Sequence, residues 1–127
     1  MPTFTKQVRI SSADGARSLT TRGVVDTGAS YMHIPAEIAR QLQLLPLMNR
    51  SFRLANGSMV NYEIAVALVE IEGHEELPIP VAIGKEDAPI LLGALALDIF
   101  GLGVDTERRQ LIPKVLDLLT QTNWPTI

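Results

Sequence analysis

A carboxylate led by two β-branched residues into a turn of small ones, Gly23-Val24-Val25-Asp26-Thr27-Gly28-Ala29-Ser30, is the part of this chain best suited to chemistry. Val24 and Val25 favour extended, buried backbone, so the acid stands at the end of a strand. Thr27 offers it a supporting hydroxyl, and Gly28 removes a side chain that would keep another backbone from approaching. An acid held this way can act as general base on a water molecule. Cleaving an amide also needs a second, protonated carboxyl to donate to the carbonyl oxygen, and two such acids share one proton. The chain supplies one acid of this kind. Asp105-Thr106 repeats the first two residues, but Glu107 stands where glycine is needed, and Asp98 falls in a helical pattern. The partner carboxylate is therefore expected from a second copy of the chain, across a twofold axis.

A second short apolar run ending in glycine, Ile90-Leu91-Leu92-Gly93, lies downstream. Together with Asp26-Thr27-Gly28-Ala29 and a hairpin between the two, it resembles the retropepsin-like aspartic proteases, the bacterial-type members most of all. The resemblance runs from about Val8 to Pro113. It implies a mainly β, single-domain closed barrel or sandwich over residues 1–113, with a flap hairpin and one or two short helices. Residues 114–127 would be an extension, helical or in contact across a dimer. The implied activity is that of a homodimeric aspartic endopeptidase acting on peptide or protein substrates, with no cofactor and no metal. Asp26, Thr27 and Gly28 would be catalytic, Thr27 bonding across the axis, and Ala29 and Ser30 would line the substrate. Leu92 and Gly93 would form the structural second motif. The hairpin tip, Ala55, Asn56, Gly57 and Ser58, would close over the substrate as the flap. Retroviral members often pair an acid after Asp-Thr-Gly-Ala with an arginine after the second-motif glycine. Here those positions are Ser30 and Ala94, so both ions are missing together and neither is left buried and unpaired. A different reading keeps the same dimeric fold as a catalytically silent module that binds extended peptides by strand addition.

Several elements must position these residues. Thr3 to Ile10 and Leu19 to Val25 read as strands around an Asp14-Gly15 turn, a hairpin that delivers Asp26. Ile34, Ile38, Leu42 and Leu45 recur at helical spacing, which predicts a helix over Pro35 to Leu44 with Glu37 in its first turn. Asn56-Gly57 between Phe52-Arg53-Leu54-Ala55 and Met59-Val60-Asn61-Tyr62 predicts a hairpin. From Val60 the apolar residues alternate to Leu68 and then shift phase to Val69 and Ile71, which suggests a bulge or bend. Leu77, Ile79, Val81 and Ile83 alternate with Pro78 and Pro80, so that strand is expected at an edge or irregular. Gly93 to Phe100 reads as a short helix closed by Gly101 and Gly103, and a turn at residues 105–108 precedes a last short strand. Val115 to Leu119 suggests an added helix or a dimer contact.

Composition narrows the alternatives. A chain of 127 residues, 46% hydrophobic and 20% charged, supports one domain with a modest core. A net charge of −3, with no basic run beyond Arg108-Arg109, gives no electrostatic footprint for nucleic acid. Without an apolar run of membrane-spanning length or a signal-peptide core, a cytoplasmic location is expected. The absence of cysteine excludes thiolate chemistry and disulfides. His74-Glu75-Glu76-Leu77-Pro78 begins like a zinc-protease helix, but Pro78 occupies the place of the second histidine, so a turn is expected there. Gly93, Gly101 and Gly103 are wrongly spaced for a phosphate loop. His33 follows the acid closely and can touch substrate, although a lone histidine there more often serves structure. Trp124 reads as a packing residue.

Overall fold

The computed structural model describes residues 3–118. Alternating apolar residues form β1 (Phe4–Ser11) and β2 (Ser18–Val25), an antiparallel hairpin in register from Phe4 opposite Val25 to Ser11 opposite Ser18. Its connection uses the Asp-Gly step. Gly15 sits at φ +73°, a left-handed conformation that glycine adopts without strain, and its N–H donates to the Ser12 carbonyl at 2.8 Å. The Asp14 carboxylate accepts the Ser12 hydroxyl and the Ala16 N–H, which holds it below the ordinary carboxylate range.

There follow β3 (Met32–Ile34), α1 (Ala36–Gln41), β4 (Met48–Arg53), β5 (Met59–Ile71), β6 (Glu76–Ile83), β7 (Leu91–Leu92), α2 (Ala94–Phe100), β8 (Leu102–Asp105) and β9 (Gln110–Pro113). Seven strands join in the order β1-β2-β7-β3-β6-β5-β4, and β1 pairs again with β5, from Val8 opposite Ile71 to Ser11 opposite Leu68. Six strands therefore close into a ring, with β4 carried outside it on β5. Closure leaves no unpaired edge at the β1–β5 seam. The ring encloses a core in which Val8, Ile10, Met32, Ile34, Val69, Ile71, Val81 and Leu92 are fully buried. This is the mainly β, closed architecture with two short helices that the motifs imply. Outside it, β8 and β9 pair as a separate hairpin. Among the described residues no helix is long and apolar enough to cross a membrane.

Four local expectations need correction. The phase change along β5 is not a bulge, because its ladders with β4 and with β6 run without a skipped residue. Instead Ile64 and Ala65 are both buried where the strand leaves β4 and enters the ring, and Ala67, Val69 and Ile71 then point inward. The two halves of β5 simply bury against different neighbours. Next, β6 is an edge for only half its length. Pro78 and Pro80 pair with β5 alone, whereas Val81 to Ile83 also pair in parallel with Met32 to Ile34. The missing N–H groups thus fall in the stretch that has only one neighbour. Third, α1 is shorter than the apolar spacing suggests. Pro35 is its N-cap and Leu42 its C-cap, and Gln43 at φ +53° turns the chain away. Arg40 ties α1 to the loop before β7 by two bonds of 2.6 Å to Glu86, whose carboxyl that guanidinium holds below its ordinary value. Fourth, residues 114–118 are neither helix nor strand; Leu119 and Trp124 lie outside the described residues.

Leu92, although in a strand of two residues, is wholly enclosed. Leu92→Ala should therefore lower stability by about 2–5 kcal/mol, seen as a lower urea midpoint at unchanged slope. A loss under ~0.5 kcal/mol would place this side chain outside the core.

Candidate active site

Asp26 leaves the end of β2 held from both sides. Its N–H donates to the Leu92 carbonyl at 3.1 Å, which extends the parallel pairing of Val24 with Leu91 and Val25 with Leu92. Its Oδ1 accepts the Gly28 N–H at 2.9 Å, and its carbonyl accepts the Ala29 N–H at 3.3 Å. The carboxylate is thus aimed by main-chain groups of its own turn and remains partly exposed. A Cβ on Gly28 would lie 3.1 Å from Asp26 Oδ1, so glycine here keeps the space beside the acid clear. The support expected from Thr27 comes from the Gly28 N–H instead. Thr27 is exposed, and its hydroxyl has no hydrogen bond among the described residues.

Gly93 braces the turn. A Cβ there would fall 2.5 Å from the Tyr31 carbonyl oxygen and 2.8 Å from that of Ala29. Its φ of −84° is ordinary, so close approach and not backbone conformation demands glycine. Gly93 is also the N-cap of α2 and offers no side-chain cap. The first N–H groups of a helix have no partner within it. In α2 the Ala94 N–H donates to the Ala29 carbonyl at 2.8 Å, and the Leu95 N–H to the Ser30 carbonyl at 2.9 Å. The residues after the acid are therefore sewn to the start of α2 by backbone alone. Neither position of the missing ion pair, Ser30 or Ala94, needs a charge for this.

Beside the turn lies a cleft of about 410 Å³. Gly28, Ala29 and Ser30 of the acid's turn line it together with Ser51, Phe52, Arg53 and Leu54 of the β4–β5 hairpin. Tyr31, His33, Tyr62, Ala82 and Leu91 complete the lining. The rings touch in sequence: Tyr31 meets Phe52 edge-on at 5.4 Å, Phe52 lies 6.0 Å from Tyr62, and Tyr62 lies 5.6 Å from His33. These separations suit favourable aromatic pairing.

The hairpin tip is a three-residue loop. Leu54 N–H donates to the Ser58 carbonyl at 2.8 Å, Gly57 N–H to the Leu54 carbonyl at 2.9 Å, and only Gly57, at φ +86°, is left-handed. Asn56 Oδ1 accepts the Ser58 N–H at 2.9 Å and its hydroxyl at 2.6 Å. Ala55, Asn56, Gly57 and Ser58 are all exposed and do not line the cleft, whereas Ala29 and Ser30 do. Thr27 opens onto a different depression, shared with Ala94, Leu97 and Val104. Tyr31, Phe52, Leu54 and Tyr62 are wall residues that motif reading passed over. The register around Asn56-Gly57 carried the signal, because Phe52 opposite Val60 brings it diagonally onto Tyr62. Of the other acids considered, Asp98 bonds Lys114 at 3.3 Å, and Asp105 Oδ1 accepts the N–H groups of Glu107 and Arg108. His74 is exposed beside a left-handed Gly73, in the expected turn.

The family model described as "gag-polyprotein putative aspartyl protease" matches residues 9–98, which include both Asp26 and Gly93. Among solved structures, a retropepsin-like aspartic protease from Rickettsia conorii is similar, with a TM-score of 0.52 and 27% sequence identity over 82% of this chain and 88% of that one. No curated protein matches the chain.

The two glycines should behave differently on substitution. Gly93→Ala meets main-chain atoms and is expected to cost at least ~2 kcal/mol in urea unfolding, while Gly28→Ala, which meets only a carboxylate oxygen, should stay within about 1 kcal/mol of the parent. Equal stabilities would show that Gly93 is no brace.

Proposed function

The chain belongs to the retropepsin-like, gag-polyprotein type of aspartyl protease family, and from that premise we propose that it is an aspartic endopeptidase whose active site is assembled by two copies. The observation that carries this is the single carboxylate of Asp26, held at the end of β2 by the Gly28 N–H, with Gly28, Ala29 and Ser30 of the same turn lining a cleft of about 410 Å³. One Asp26 acts as base on a water molecule; the other, protonated, donates to the scissile carbonyl oxygen. Within one chain Asp98 and Asp105 are engaged elsewhere, which supports a twofold partner as the source of the second acid. In this reading Thr27 bonds across the axis, Gly28, Ala29 and Ser30 face the peptide backbone, and the β4–β5 hairpin with Ala55 to Ser58 at its tip serves as the flap. The protease domain is residues 1–113. A binding module remains the competing reading, favoured by the outer side of β4, which among the described residues ends the sheet unpaired and can accept an added strand.

Asp26→Asn is nearly isosteric but cannot serve as base, so it should abolish cleavage of unfolded protein substrates while leaving the melting temperature nearly unchanged. Persistent cleavage, read as new termini by mass spectrometry, would refute the mechanism, whereas absence of cleavage by the parent chain itself would leave the binding module. The shared site makes a quantitative demand as well. Refolding equal amounts of parent and Asp26→Ala chains together should leave roughly one quarter of the activity of the same total of parent protein under random pairing, against about one half if each chain works alone.

A further inference from the structure

We infer that His33 is the polar specificity determinant of the cleft: its Nε2 accepts a hydrogen bond from a donor-bearing side chain of the bound peptide, such as a glutamine or asparagine amide. The inference deepens the proposed function and rests on its premise that peptides occupy this cleft. His33 lies in β3 between β7 and β6, opposite Leu91 and Ala82, and its ring lines the cleft. Nδ1 lies 3.1 Å from the Pro89 carbonyl oxygen. A carbonyl can only accept, so Nδ1 carries the proton and the neutral ring has its lone pair on Nε2. Nε2 has no hydrogen-bond partner among the described residues. No buried side-chain nitrogen or oxygen there lacks one, so Nε2 is reached by solvent. The ring has its place because residue 84 is glycine: a Cβ there would fall 2.0 Å from Nε2.

The remaining walls explain why this atom decides. Tyr31 and Tyr62 each carry a hydroxyl that can donate or accept, so neither separates donors from acceptors. Phe52, Leu54, Ala82 and Leu91 offer apolar surface only. Ser30 and Ser51 likewise donate or accept, and Arg53 only donates, so the neutral imidazole, its Nδ1 engaged by Pro89, is the one lining side chain among the described residues that offers an acceptor and no free donor. A leucine placed against it strips water from Nε2 and returns nothing, whereas a glutamine amide replaces that water.

The test separates binding from cleavage. Full-length Asp26→Asn protein is mixed at pH 8 with decapeptide pools in which each position in turn is fixed as Gln or as Leu. Retained peptides are counted by mass spectrometry. At one position the Gln pool should be retained roughly 3–10-fold over the Leu pool, the worth of one net hydrogen bond. Adding His33→Phe should erase that ratio, and adding His33→Gln, which keeps an acceptor, should preserve it. Should His33→Phe fail to fold, nitrogen NMR of the Asp26→Asn protein gives the same answer: the Nε2 resonance of His33, assigned against His74→Gln, should shift with the retained Gln pool and not with the Leu pool. The inference is overturned if no position separates the pools, if the ratio survives in His33→Phe, if Nε2 does not respond, or if no peptide is retained. Failure of the protease reading shows separately, as absent cleavage by the parent chain.

Discussion

The approach of Gly93 to the carbonyls of Ala29 and Tyr31 is the contact on which the rest of the site depends. It is closer than any side chain would permit, and it lets the first N–H groups of α2 reach the carbonyls of Ala29 and Ser30. Those bonds solve two problems at once. The start of a helix that lacks a side-chain cap gains its missing acceptors, and a turn that would otherwise be free gains a rigid backing. Because Asp26 N–H also bonds the Leu92 carbonyl, the acid and its brace belong to one continuous main-chain network. Catalytic groups placed by main-chain bonding on fixed elements keep their geometry better than groups on open loops.

This explains how the chain dispenses with charges at Ser30 and Ala94. An ion pair between these positions would have joined segments that the backbone already joins. Ser30 is exposed and Ala94 half-buried, and an ion pair reached by solvent contributes little, so the neutral solution loses nothing needed to hold the turn. It also leaves the wall of the cleft nearest the acid small and uncharged, with Gly28, Ala29 and Ser30 in succession. On the proposed reading, recognition then falls to the aromatic side built by Tyr31, Phe52, Tyr62 and His33.

Much of this was legible in the residues. Asp14-Gly15 and Asn56-Gly57 announced their turns through glycine, and both glycines adopt the left-handed conformation. Val24-Val25 and Leu91-Leu92 announced buried strands, although nothing local said that they pair with each other in parallel. Where local pattern misled, tertiary context had intervened. The β5 phase shift recorded a change of neighbours, not a bulge, and Pro78 and Pro80 marked an edge that ends where β3 arrives. Thr27 was expected to support the acid, and main chain did so instead, a substitution invisible to any reading of side-chain types. The cleft walls were hidden because Phe52 and Tyr62 are ten residues apart and meet only through hairpin register.

The closed ring also sets an order of events during synthesis. Asp26 is made early, but its backing strand β7, parallel to β2 on one side and antiparallel to β3 on the other, begins 65 residues later at Leu91, and the ring cannot be completed without it. Hairpins β1–β2 and β4–β5 can form as they emerge, since their contacts are local. The β7 insertion and the β1–β5 seam are non-local and must wait. A growing chain therefore carries its acid on an unbraced turn until Gly93 has left the ribosome, so folding itself withholds the finished site from a half-made polypeptide.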